Sequence, residues 1–171
     1  MKILVFSDSH GHPSLMQDVI RAHMKAGGLE RVFFLGDGLH DLYSIREQWP
    51  MLTIDAVAGN CDGTLSFFDG ADEPLERIAD VGGMRFLLMH GHKYSVKSTI
   101  QPAADRGIAR GADVVLFGHT HEAFDEVVDG SDGGSVRLIN PGSVGTWYDA
   151  SFALLEIING SLICSFGGQT K

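Results

Sequence analysis

Five stretches of this chain end apolar runs in side chains of the kinds that hold metal ions. They are Asp8-Ser9-His10, Gly36-Asp37, Gly59-Asn60, His90-Gly91-His92 and Gly118-His119-Thr120-His121. In an extended chain, residues two positions apart point to the same side. Each D-x-H or H-x-H pair can therefore serve one metal centre or two adjacent ones. The donors are carboxylate and amide oxygens and imidazole nitrogens, with no clustered cysteine, a set that suits Mn, Fe, Zn or Ni better than Mg or Ca alone. A carboxylate such as Asp37 can bridge two cations, and two metals about 3.5–4 Å apart are a known device for phosphoryl chemistry. Taken singly, each residue has a plainer reading: Asp8 and Asp37 as caps, Asn60 as a turn residue, the histidines as hydrogen-bonded rim residues. Five such stretches, each after an apolar strand, favour the metal reading.

The elements that must position these residues can be read from periodicity. Residues 2–7 (KILVFS) form a short buried strand, followed by a helical pattern at Leu15, Met16, Val19, Ile20 and Met24 that starts at Pro13–Ser14 and stops at Gly27–Gly28. Residues 31–35 form the next strand, LYSIREQWP is helical until Pro50, and LTIDAVAG is the third strand. Strand, helix, strand, helix, strand favours a parallel sheet with ligands beyond its carboxyl ends. LERIADV and MRFLLMH flank Gly82–Gly83 as a hairpin, a helix is expected over 96–110, and DVVLFG is a strand. The remainder (EAFDEVVDG, SVRLINPGS, SFALLEI, SLICSF) reads as strands separated by glycine-rich turns. No repeat, linker or boundary interrupts the chain, so one domain over 1–171 is expected, built as two packed mixed sheets with helices outside.

At 171 residues the chain can bury one sizeable core. Its formal charge of −9 argues against general attraction to nucleic acid or to an anionic membrane, leaving a small nucleotide as the only nucleic-acid-like ligand. Cys61 and Cys164 are too few for a disulfide framework, and no export signal or membrane span is visible, which points to the cytoplasm.

The ordered pattern D-x-H, GD, GN, H, GHTH from Asp8 to His121, with NPGSVG at 140–145, resembles the calcineurin-like metallophosphoesterase superfamily, and the small size resembles its minimal bacterial and archaeal phosphodiesterases. The resemblance implies an α/β fold, a four-layer αββα sandwich of two mixed sheets flanked by helices. It implies a first metal on Asp8, His10, Asp37 and His121 and a second on Asp37, Asn60, His90 and His119, with Asp37 bridging. The two divalent transition-metal ions would be manganese, with zinc, iron or nickel as alternatives. The reaction implied is hydrolysis of a small phosphodiester by a metal-activated hydroxide, with Asp37, Asn60 and His119 acting at the reacting phosphate.

The match weakens at two places. Many superfamily phosphatases carry a histidine after the GN asparagine as a general acid, whereas this chain has Cys61, a poor proton donor to an alkoxide. Leaving groups that need no protonation should be favoured, and Cys61 itself reads as a packed rim residue. The GDGLHD segment also lacks the arginine of protein serine/threonine phosphatases, so a phosphoprotein substrate is not expected.

Among the other histidines, His23 reads as a surface residue of the first helix. His12, His40 and His92 are candidates for contact with substrate phosphate or for support of the ligands. Trp147 and Tyr148 offer a surface for stacking on a base or aryl group, although an aromatic pair in a late loop is more often packing. The apolar run Leu65-Ser66-Phe67-Phe68 reads at least as well as a loop anchor as it does as a subunit contact, leaving a homo-oligomer open. Two other functions compete: a phosphomonoesterase or nucleotidase using the same metals, and a scaffold like the retromer subunit of this fold. The complete ligand set disfavours the second.

Overall fold

The apolar runs of the first third become parallel strands. The computed structural model of the protein describes residues 1–63 and 73–170, so the Leu65–Phe68 run lies outside the described residues. Strands β1 (Lys2–Phe6), β2 (Leu29–Phe34) and β3 (Thr53–Ala56) pair in parallel and are connected through helices α1 (Ser14–Ala26) and α2 (Leu42–Gln48). Strands β9 (Asp149–Ile158) and β10 (Ser161–Thr170) return late in the chain and extend this sheet antiparallel, giving the order β10-β9-β1-β2-β3. The second sheet is made from β4 (Glu76–Val81), β5 (Met84–Met89), β6 (Val114–Leu116), β7 (Ala123–Asp129) and β8 (Ser135–Pro141), in the order β4-β5-β6-β8-β7. Its inner strands β5, β6 and β8 are parallel.

Turn chemistry explains the hairpins. Gly82 and Gly83 have φ of 62° and 82°, and Asn159 and Gly160 have 50° and 79°. Two successive positive φ values are what a two-residue hairpin turn needs. The expected helix over 96–110 is shorter: α3 spans Gln101–Ala109, and a 3₁₀ turn at His92–Tyr94 precedes it. Ser95 is left-handed (φ 53°), which interrupts any helix there, and Pro102 sits in the first turn, where its missing N–H costs nothing. Val96 is buried against the second sheet, so its apolar character reflects packing rather than helix periodicity.

Three apolar seams make four layers. Along β1 the side chains alternate: Ile3 and Val5 face the second sheet, while Leu4 and Phe6 face α1 and α2. The central seam joins Phe33 and Leu35 to Phe86, Leu88 and Leu116. Met16 and Ile20 of α1 and Leu42 and Ile45 of α2 cover the outer face of the first sheet. Ala103 and Ala104 of α3 pack with Leu87, Val115 and Leu138 on the outer face of the second. Because both sheets carry parallel central strands, the carboxyl ends of β1, β2, β3, β5 and β6 all lead into the polar stretches. No described helix is long and apolar enough to cross a membrane.

Candidate metal centre

Each polar stretch begins where a strand ends and the backbone must turn sharply. Asp8, His10, Asp37, His119 and His121 all have positive φ, between 47° and 69°, and they make up most of the non-glycine residues with positive φ among the described residues. Aspartate and histidine visit this region more readily than other side chains, but it is still uncommon and characteristic of functional sites. The turns are fastened to one another. Asp8 N donates to Gly36 O at 2.9 Å, and His119 N donates to Asp8 Oδ2 at 3.1 Å.

The side chains form two groups. Asp8, His10 and His121 bring their ligand atoms together, with His121 Nε2 3.1 Å and His10 Nε2 3.7 Å from Asp8 Oδ1. Asp37, His90 and His119 form the second group, with His90 Nε2 3.4 Å from Asp37 Oδ2. The groups adjoin, since His90 Nε2 is also 3.9 Å from Asp8 Oδ1 and a third cluster places His10 beside Asp37 and Cys61. Asp8 and Asp37 come from the first sheet and the three histidines 90, 119 and 121 from the second, so the site spans the seam between the sheets.

Asp8 Oδ1 and His90 Nε2 are buried with no hydrogen-bond partner, and both face the space between the groups. Leaving such atoms unsatisfied costs about 1–3 kcal/mol each, more for a charged group. Cations held in the two groups, one on each atom, would satisfy them. The tautomer agrees: His90 Nδ1 is 2.7 Å from Leu35 O, which can only accept, so Nδ1 carries the proton and Nε2 faces the site.

Charge is balanced by contact. Burial alone would raise the Asp37 carboxyl, but the His90 imidazole 3.4 Å away and the hydrogen bond from the Cys61 amide outweigh it and hold the group well below the ordinary carboxylate range. Burial likewise acts to lower His90, but the neighbouring Asp37 and Asp8 carboxylates raise it. His119 is lowered by burial and by the His90 charge.

The remaining residues divide. Asn60 is exposed and donates its side-chain amide to Cys61 Sγ at 3.3 Å. Cys61 corrects the sequence reading: it is exposed, not packed, and it lies within the Asp37–His10 cluster because its loop packs on Asp37. Its thiol is pushed up to about 11, first by the hydrogen bond to Asp37 and then by burial. His92 places its ring 5.4 Å from that of His90 and 6.2 Å from that of His119. His40 pairs with Asp41 at 3.1 Å, and His12 meets Trp147. His23 is half-buried rather than on the surface, lowered by burial and by Lys2.

Several supporting residues escape a reading of motifs. Asp62 accepts four backbone N–H groups, from Asp37, Gly38, Leu39 and Gly59, at 2.7–2.8 Å. Gly59 closes the same junction, since a Cβ there would lie 2.5 Å from the Asp37 amide nitrogen. Asp41 accepts Ser9 Oγ at 2.5 Å and Gly11 N at 3.0 Å, and Ser143 Oγ donates to Asp8 O at 2.8 Å. Only the adjacency of Asp62 to Asn60 and the NPGSVG segment hinted at these roles.

Comparison with known proteins follows this geometry. Residues 1–160 match the model of the calcineurin-like phosphoesterase superfamily domain. A probable metallophosphoesterase of Bacillus subtilis is 31% identical over 173 residues, covering 99% of this chain and 92% of that protein. A phosphodiesterase of Methanocaldococcus jannaschii is 32% identical over 151 residues, covering 83% of each. The crystal structure of a predicted phosphoesterase from Streptococcus pneumoniae superposes with a TM-score of 0.74 at 25% identity, over 96% of this chain and 87% of that one. Zinc-bound Vps29 from Entamoeba histolytica shares the fold, with a TM-score of 0.68 at 22% identity over 98% of each chain. Strand ends, paired donor groups and a family match over nearly the whole length agree: the chain belongs to the calcineurin-like phosphoesterase superfamily.

Proposed function

We propose that this chain, acting as one domain over residues 1–171, is a binuclear metal-dependent phosphodiesterase for a small phosphodiester. The observation that carries the reading is the pair of adjoining donor groups with Asp8 Oδ1 and His90 Nε2 orphaned between them. Asp8, His10, Asp37 and His121 would hold one cation and Asp37, Asn60, His90 and His119 the other, with manganese as the native metal. When bound, the cations supply a water of lowered pKa and positive charge against the phosphoryl oxygens. Asp37 stays ionised between the groups, where its charge offsets repulsion between cations. Asn60 would turn from Cys61 to complete the second group, and His119 would face the phosphate. The chain works in the cytoplasm.

The first test strips the protein with chelator and restores Mn, Zn, Ni or Mg separately. Nitrophenol release is then followed from an aryl phosphodiester and from its monoester. Metal-restored cleavage with the diester preferred is the expected result. A monoester preference would move the reading to phosphomonoesterase or nucleotidase, and absence of hydrolysis with every metal would sink it.

Cys61 supplies a second expectation. A thiol held up to about 11 stays protonated at neutral pH, yet it is a weak hydrogen-bond donor to a departing alkoxide. Cys61→His is expected to raise turnover of an alkyl phosphodiester by about 10² while leaving a nitrophenyl diester almost unchanged, because only the poor leaving group needs a proton. The ratio of the two turnover numbers is the measurement. Equal change on both substrates would mean that the position does not face the leaving group.

A further inference from the structure

Trp147 and Tyr148 are 79% and 70% exposed. Both rings stay largely in water and outside the buried core, contrary to the commoner reading of an aromatic pair in a late loop. Large apolar rings held in water forgo stabilisation that burial would provide, and such surfaces characteristically mark binding sites.

The loop that carries them is tied to the metal centre. Val144 N donates to Ser7 O at 3.0 Å, Gly145 N donates to Asp8 O at 3.2 Å, and Ser143 Oγ donates to the same Asp8 carbonyl. Gly145 is needed for this approach, because a Cβ there would fall on the carbonyl of Ser9. Two residues later comes Trp147, and His12, two residues past His10, sets its ring against the indole in an edge-on contact with centroids 5.8 Å apart. The segment that carries the indole is thus tied to Asp8 at one end of the Asp8–His12 loop, and the indole itself touches His12 at the other.

We infer that Trp147, braced by His12, is a stacking platform for a flat aromatic group carried by the phosphoester, a nucleobase or an aryl ring. The inference rests on the phosphoester reading of the adjoining centre. Stacking on an aromatic side chain uses the face that every base or aryl ring presents, and it contributes about tenfold or more in affinity. The net charge of −9 selects among occupants. A long nucleic-acid strand would be repelled overall, whereas a single aromatic phosphoester brings one phosphate to the donor groups and one ring to the indole.

The test measures binding, so it does not depend on turnover. The chain has two tryptophans, and Trp49→Phe leaves Trp147 as the only tryptophan reporter. Metal-loaded protein is titrated with phenylphosphonate, with the 5′-methylenephosphonate analogue of adenosine monophosphate, and with methylphosphonate, whose P–C bonds resist hydrolysis. The aromatic pair should quench Trp147 emission and methylphosphonate should not. By calorimetry on protein with Trp49 intact, Trp147→Ala should weaken the aromatic ligands about tenfold, spare methylphosphonate, and be rescued by Trp147→Phe. Tighter binding of the adenosine analogue assigns a nucleobase, and tighter binding of the phenyl compound assigns a simple aryl ester. Equal affinity for aromatic and methyl ligands, or an unchanged affinity in Trp147→Ala, overturns the platform. Aromatic quenching in a protein that hydrolyses neither diester nor monoester would leave the platform standing and remove only the hydrolase reading.

Discussion

Replacing Asp37 with alanine should lower metal-restored phosphodiester turnover by about 10³ or more. Asp37 belongs both to the cluster with His90 and His119 and to the cluster with His10 and Cys61, so its loss degrades both groups at once. That is a larger loss than expected for any ligand confined to one group, since on the proposed binuclear reading the shared charge would offset cation–cation repulsion as well as coordinate. Asp37→Asn separates chemistry from folding. The amide oxygen can still accept the Cys61 N–H that Asp37 Oδ1 accepts at 2.7 Å, while the bridging charge is gone. The chelated Asn variant should melt within a few degrees of the parent but bind fewer than two equivalents of Mn by calorimetry. Two tightly bound equivalents in either variant would show that Asp37 does not bridge. The depressed carboxyl also has a pH consequence. A carboxylate stabilised by folding contributes fully above the unfolded value of about 4 and loses that contribution as pH falls through the folded value.

The second large effect is expected at a residue that touches no metal. Asp62→Ala removes one carboxylate that satisfies four N–H groups on two different loops. With charge-assisted bonds lost together, the expected destabilisation is about 3 kcal/mol, which lowers the melting temperature of a chain this size by about 10 °C. Asp62→Asn should be nearly as damaging. Each carboxylate oxygen serves two donors, and an amide nitrogen in place of either oxygen would face two N–H groups that need an acceptor. Metal affinity should fall with the melting temperature, because the same bonds set the backbone of Asp37. A melting temperature within one degree of the parent would mean that the loop is held by something else.

These two residues show what a sequence can and cannot reveal here. Asp37 was legible because RVFFLGD is an apolar run buried within the first sheet, and a carboxylate at its end stands out. The same contrast marked Asp8, His90, His119 and His121. Asp62 was not legible, because its four partners are backbone amides, three of them 23 to 25 positions earlier, which leave no side-chain signature. The division of ligands into two groups needed both sheets in register, a non-local fact. The start of α3 was missed because Val96 and Ile100 are apolar at helical spacing yet belong to a turn packed on the second sheet. Cys61 was misread for a related reason: burial of a small apolar side chain is the usual outcome, whereas here its amide is bonded to Asp37 Oδ1 and the side chain is exposed.

The left-handed backbone at Asp8, His10, Asp37, His119 and His121 has an implication for how this chain would drift. At the three histidines glycine would relieve about 1 kcal/mol of steric cost, whereas at Asp8 and Asp37, which accept the His119 and Cys61 amides, asparagine keeps the acceptor and tolerates the conformation. A library propagated for thermal resistance alone, with no demand for turnover, should therefore accumulate glycine and asparagine at these loci. The scaffold would become sturdier as its chemistry disappeared, so heat tolerance alone is the wrong criterion for improving this protein.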